Sequence, residues 1–345
     1  MDKRVFENGG VTRFVQAGPW SFDRGLPDLI EGRAISQSGW ASCDTLSRSA
    51  FGIRGTSIPQ MWLCGGQDEL SPIVQRFYLG AETPARLIKR GEYSVGYLYE
   101  DDDAEYTLLS GVLPKDFTLS REEQTRSAFE ETEAALESVG MDFSHVARTW
   151  LYMDRILDWY DAFNRARDSF FLSRHVYDGL VPASTGIGSA NQYGSAIVIS
   201  AIAVKPKRPG RVCVKAVDSP LQCTAQAYGS SFSRAVEIRN PSYRTVLISG
   251  TASIEPGGAT AFVGDTRKQI GLTLDVVEAI LKSREMGWED ATRGLIYLKH
   301  PEYLDLWRET AAARKLDNVP ILPIVADVCR DNLLVEVELD AVKKI

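Results

Sequence analysis

One structural unit is written twice in this chain, and that repeat limits the possible folds more than any other feature. VARTWLYM at residues 146–153 is answered by ATRGLIYL at 291–298, so Arg148 matches Arg293 and Tyr152 matches Tyr297. Gly140-Met141 matches Gly287-Trp288, and Pro182 matches Pro323. VISAIAV before residue 205 matches VEVELDAV near the end. Around these anchors each copy reads as strands, a helix, a strand, a second helix and a final strand. In the first copy, residues 93–99 and 106–112 read as paired strands. The acidic run between them, 100–105, reads as an exposed hairpin tip. Ser120 with Glu123 is a capping box that opens a helix closed by Gly140. Residues 157–172 read as the second helix, and 196–204 as the closing strand. In the second copy the strand 245–254, the helix 265–283 and the helix 304–315 follow the same order, the first of these helices carrying Leu272, Val276, Val277, Ile280 and Leu281 on one stripe.

The closing strand of the second copy is the unusual element. Asp331-Asn332 makes a turn, and the residues after it alternate. Val335, Val337, Leu339 and Ala341 fall on one face, and Leu334, Glu336, Glu338 and Asp340 on the other. A solvated face is the plainer reading of three carboxylates in a row. The repeat argues against it. The first copy carries Val198 and Ser200 where the second carries Glu336 and Glu338, and Ile202 follows on the same face. A face that is apolar in one copy is expected to be buried in both. Burial raises a carboxyl group's pKa, and an acid kept protonated near neutral pH can donate a proton to a substrate.

The rest of the chain bounds the function. Its 345 residues allow two or three domains. Boundaries are expected near residue 91, where an irregular N-terminal region (1–91) gives way to the first unit (92–210), and at the basic linker Lys205-Pro206-Lys207-Arg208-Pro209-Gly210, after which the second unit (211–345) begins. The N-terminal region is either a degenerate further copy or a cover. A net charge of −7 argues against a nucleic-acid partner. No apolar run is long enough for a membrane span, and MDKRVFENGG lacks the apolar core of a signal peptide, so a cytoplasmic protein is expected. The five cysteines are odd in number and form no CxxC pair, which predicts reduced thiols; with three scattered histidines, no metal site is expected. There is no P-loop, no GxGxxG and no GxSxG.

Arginines recur beside aromatic and hydroxyl residues. Arg148 and Tyr152 share a strand face, Arg155 follows that strand, and YGSSFSR gathers Tyr228, Ser231 and Arg234. Thr251 and Ala252 end another strand, and Cys329 lies just before the acidic one. Each has a plain alternative: Tyr152 and Tyr297 as core tyrosines, Arg155 paired with Asp154 or Asp158, Cys329 as a small core residue, and GIGS at 186–189 as a turn. Their coincidence points to a small, polar, anionic ligand beside a buried acid.

The single unit resembles the YjgF/RidA fold, and the whole chain resembles the chorismatases. The residues that carry the likeness are ARTWLYMDRILDWYDAFNR (147–165), PASTGIGS (182–189), SPLQ (219–222), YGSSFSRAVE (228–237), SGTASI (249–254) and ADVCRDNLLVEVE (326–338). The resemblance implies an α+β fold of tandem YjgF/RidA-like (chorismate-mutase-like) units in a pseudo-trimeric arrangement within one chain, acting as a monomer. It implies chorismate as the small-molecule substrate, with no cofactor, no metal, no nucleic acid and no membrane partner. Glu336 matches the acid that protonates the enolpyruvyl methylene. Water or a ring hydroxyl then attacks, releasing pyruvate with either a dihydroxycyclohexadienoate or 3-hydroxybenzoate, sometimes with 4-hydroxybenzoate. Arg148, Arg155 and Arg234 are expected to hold carboxylates, and Tyr152, Tyr228 and Ser231 to donate hydrogen bonds. The cavity is expected between Glu336, Cys329 and Thr251 of the second unit and Tyr152 and Arg155 of its neighbour. Ala252 and Cys329 are the positions whose size is expected to set the product, and Cys329 inclines it to 3-hydroxybenzoate. RidA-type imine deaminases carry an arginine shortly after the proline matching Pro323; here the residues are Ile324-Val325-Ala326.

Overall fold

A computed structural model describes residues 2–8, 11–19, 33–43, 58–65, 73–80 and 82–345. The first sheet holds β1 (Asp2–Asn8), β2 (Val11–Pro19), β3 (Arg33–Ala41), β4 (Gln60–Cys64) and β5 (Ile73–Leu79), in the order β1-β2-β5-β3-β4. The second holds β6 (Ala85–Arg90), β7 (Tyr93–Glu100), β8 (Ala104–Val112), β9 (Val146–Met153), β10 (Ala183–Gly188) and β11 (Ile197–Pro206), with α1 (Arg121–Glu137) and α2 (Tyr160–Ser173) in its connections. Its order is β10-β9-β11-β8-β7-β6. The third holds β12 (Cys213–Val217), β13 (Ala235–Arg239), β14 (Tyr243–Ala252), β15 (Ala291–Leu298), β16 (Ile321–Val325) and β17 (Val335–Lys344), with α3 (Thr266–Ser283) and α4 (Tyr303–Ala313). Its order is β12-β13-β14-β17-β15-β16.

All three sheets are wired alike. An antiparallel hairpin leads, the last strand of the unit inserts beside it, and a parallel pair closes the far edge: β3 with β4, β9 with β10, β15 with β16. The N-terminal strands therefore repeat the order of the two units legible in sequence. Register supports the alignment of those two. Val198 faces Tyr152 as Glu336 faces Tyr297, and Ile202 faces Arg148 as Asp340 faces Arg293.

Each helix-bearing sheet buries one face under its helices. Phe129, Phe163, Phe170 and Phe171 close over Leu151 and Met153 in the second unit. Leu274, Val277 and Ile280 close over Val335, Val337 and Leu339 in the third. The opposite faces meet one another: Trp40 and Met61 of the first sheet, Trp150, Tyr152 and Val198 of the second, and Leu295 and Tyr297 of the third share one core. This is why the acidic face of β17 is covered. Ser120 caps α1 as its sequence predicts, accepting from the Glu123 amide at 3.3 Å while Glu123 Oε2 accepts from the Ser120 amide at 3.1 Å. Ser120→Ala is expected to cost about 1 kcal/mol in urea unfolding; an unchanged midpoint would show that the cap contributes nothing here.

Several expectations need correction. The tip between β7 and β8 is not exposed at Asp101 and Asp103. The first turns its carboxylate onto the amides of Asp103 and Ala104, both at 2.9 Å, and the second pairs with Arg211 at 2.8 Å. GIGS is not a turn: Gly186, Ile187 and Gly188 continue β10. The second helix starts at Tyr160 rather than 157, because Arg155 takes a left-handed φ of 48° and a single 3₁₀ turn, Ile156–Asp158, intervenes. The strand β6 joins the second sheet although it precedes residue 92. Cys43 and Cys64 form a disulfide with Cα atoms 4.9 Å apart, where reduced thiols were expected. The parallel register that sets Ala41 opposite Cys64 brings these cysteines together across 21 residues, a closeness that no local motif announces. Among the described residues no helix is long and apolar enough to cross a membrane.

Candidate active site

On β17, Glu336 and Glu338 are two residues apart and point the same way, yet they meet different surroundings. Glu338 is fully buried. It accepts from Arg148 Nη2 at 2.9 Å, from Trp150 Nε1 at 2.9 Å and from Arg293. Arg293 also donates to Asp340 at 3.3 Å and to the Gln75 amide oxygen of β5 at 2.9 Å, so an ion cluster of the second and third sheets is tied by a hydrogen bond to the first. The Trp150 ring has the guanidinium carbons of both Arg148 and Arg293 4.9 Å from its centroid. Burial pushes the Glu338 carboxyl up, but Arg293 and Arg148 overcome it and hold the group below its ordinary value.

Glu336 is also buried, 5% exposed, but takes the opposite shift. Burial, reinforced by the charge of Glu338, pushes its carboxyl up to about 8, against the pull of Arg148 and Arg234. Two like groups on one strand face are thus driven apart, one fixed as an anion and the other kept as an acid near neutral pH.

Glu336 lines a cavity between the second and third units. One wall comes from the second-sheet unit: Leu151, Tyr160, Phe163, Arg167, Ser184 and Gly186. The other comes from the third: Ser230, Phe232, Arg234, Gly250, Ala252, Ile254, Cys329 and Arg330. Three guanidiniums therefore line it, each tied to protein. Arg234 donates to the Cys223 carbonyl at 2.9 and 3.0 Å, Arg330 to the Gly258 carbonyl at 2.7 Å, and Arg167 to Asn164 Oδ1 at 2.8 Å. Burial pushes the Cys329 thiol up to about 12, so it is a neutral wall group and not a thiolate nucleophile.

Of the residues singled out in sequence, Glu336, Arg234, Ala252 and Cys329 line this cavity. Arg148 lies behind it in the ion cluster, and Tyr152 in the core between the sheets. Thr251 is buried with its hydroxyl on the Ser249 carbonyl at 2.9 Å. Ser231 sits outside the wall, donating to Asp168 at 2.6 Å and sharing a 2.6 Å bond with Tyr177. Arg155 is exposed and stays beside Asp154 and Asp158, at 3.5 and 3.7 Å. The Tyr228 side chain lies outside the described residues. The cavity falls between the second and third units, and its second-sheet wall is built from Leu151 of β9, α2 and β10 rather than from Tyr152 and Arg155.

Residues 89–203 match the family described as Chorismatase FkbO/Hyg5-like, N-terminal. A 3-hydroxybenzoate synthase of Streptomyces hygroscopicus is 28% identical over 263 residues, which is 68% of this chain and 74% of that protein. A chorismatase of the same organism is 27% identical over 216 residues, 56% of this chain and 60% of that protein. Over these stretches the chain is similar to members of the chorismatase family. A crystal structure of a chorismatase shares the fold over 95% of this chain and 98% of its own, with a TM-score of 0.73 at 19% identity.

Arg167, Arg330, Tyr160 and Phe232 also line the cavity and were not singled out from the sequence. Arg167 left a signal. It falls on the apolar stripe of α2 with Phe163, Ala166, Phe170 and Phe171, where a solvated arginine does not belong. Arg330, next to Cys329, left none, because a turn is an ordinary place for an arginine.

Proposed function

We propose that this protein cleaves the enolpyruvyl ether of chorismate to pyruvate and 3-hydroxybenzoate, with Glu336 as the acid. The observation that carries this is a buried carboxyl, held protonated near neutral pH, facing a cavity lined by three arginines. Chorismate carries two carboxylates, and Arg167, Arg234 and Arg330 are the groups we assign to them. Glu336 gives its proton to the methylene carbon of the enol ether, and the charge left on the ether carbon is that of an oxocarbenium ion. A ring hydroxyl then attacks that carbon, and collapse frees pyruvate as the ring aromatises. Arg148 acts from behind, as part of the cluster that keeps Glu338 ionised.

For the ring product, the 3-hydroxybenzoate synthase among the relatives and Cys329 in the wall favour the hydroxybenzoate branch over water addition. An imine deaminase is disfavoured because the β16 positions after Pro323 are Ile324 and Val325. We read the enzyme as a monomer, since both walls of the cavity come from one chain.

The test is to incubate the purified protein with chorismate, following pyruvate and separating the ring products with mass detection. Pyruvate with 3-hydroxybenzoate is expected. Pyruvate with the dihydroxycyclohexadienoate would overturn the branch, and no pyruvate above background would overturn the reaction. A pH profile tests the acid separately. Glu336 acts protonated, so kcat/KM is expected to hold at neutral pH and fall as pH rises through about 8. A rate that climbs across that range would mean the carboxylate acts as a base.

A further inference from the structure

The pairing of β14 with β17 breaks register between Ile248 and Thr251, and Gly250 lies in that break. Its amide donates to Thr185 Oγ1 on β10, 3.0 Å away in the neighbouring unit. The same hydroxyl oxygen accepts from Arg148 Nη2 at 2.6 Å. A hydroxyl oxygen has two acceptor positions, so both of those on Thr185 are filled and it is held from two sides.

The glycine is not required by its backbone, for it is absent from the positive-φ positions. What it accommodates is Glu336. A β-carbon at residue 250 would overlap Glu336 Oε1 and come within 2.8 Å of its Cδ, with Thr185 Cγ2 at 3.2 Å on the other side. Glycine inside a strand often marks such a close approach.

We infer that Gly250 and Thr185 are positioning residues for Glu336: the glycine leaves the space its carboxyl occupies, and the threonine pins that backbone across the interface between units. The inference rests on the reading of Glu336 as the proton donor. A donor displaced by about 1 Å leaves substrate binding intact but loses the alignment the proton transfer needs.

The experiment compares Gly250→Ala, Thr185→Val and Thr185→Ser with the wild type, measuring kcat and KM for pyruvate release from chorismate and a melting curve for each. Gly250→Ala is expected to lower kcat about 100-fold with KM little changed. Thr185→Val, which keeps the shape but not the hydroxyl, is expected to lower kcat about tenfold. Thr185→Ser is expected to stay near the wild type. Wild-type kcat in Gly250→Ala would overturn the inference. So would a loss borne by KM alone, or Thr185→Ser falling as far as Thr185→Val. The threonine pair decides the matter if Gly250→Ala does not fold. A wild type that releases no pyruvate would overturn the functional reading and this inference with it, whereas turnover that ignores these substitutions would overturn the inference alone.

Discussion

Glu336→Gln is expected to fold, to bind an unreactive chorismate analogue as the wild type does, and to lose about a thousandfold in kcat. Glutamine keeps the shape and the hydrogen-bonding capacity of the protonated acid but has no proton to give. Its neighbours are not left with an orphaned charge, because the group it replaces is already held largely neutral by burial and by Glu338. Stability should therefore change little while turnover collapses. Turnover comparable to the wild type would remove Glu336 from the mechanism, and lost analogue binding would make it a binding group instead.

Glu338→Gln should do the reverse. Arg148 and Arg293 are both buried and both spend a guanidinium nitrogen on this carboxylate. Removing its charge leaves two cations with Asp340 as the nearest remaining anion, paired with Arg293 at 3.3 Å. Breaking a buried ion pair from one side costs about 3–5 kcal/mol, and a urea titration is expected to show a loss of that size. A second effect follows from sign. The negative charge of Glu338 helps raise Glu336, while Arg148 lowers it. Neutralising Glu338 removes the first and unmasks the second, so the alkaline limb of the pH profile should move to lower pH in whatever fraction remains folded. An unchanged urea midpoint would mean that the cluster is not what joins the sheets.

The elements and their order were open to view in the sequence because strand and helix periods are local. Val146–Met153 and Ala291–Leu298 are both fully buried strands whose patterns match residue for residue. The helices of both units started within a few residues of their expected caps. Of the first sheet, the sequence showed no more than a degenerate further copy as one of two alternatives, because its strands lie between stretches rich in Gly, Pro and Ser with no helical pattern to set their rhythm. Cys43 with Cys64 was invisible for the same reason: a contact set by register between distant strands leaves no mark at either cysteine. The cavity was half legible. Arg234, Ala252 and Cys329 line the cavity, whereas Arg148 and Tyr152 turn into the interior between the sheets.

The sequence by itself determined that the chain repeats one α+β unit and that the repeat turns a row of carboxylates inward. Period two sends every second side chain of β17 to one face, and the apolar residues of the matching strand say that this face is covered. It did not determine which carboxylate donates and which only holds the sheets together. Glu336 and Glu338 share a strand, a face and a residue type, so nothing local separates them. Their difference comes from groups on other strands: Arg148, 190 residues away, and Arg293 close on Glu338, while Gly250 leaves a space for Glu336 at the edge of the cavity. A carboxyl group's pKa is set by charge and water within a few ångströms, and only the packing of three sheets brings those neighbours into place.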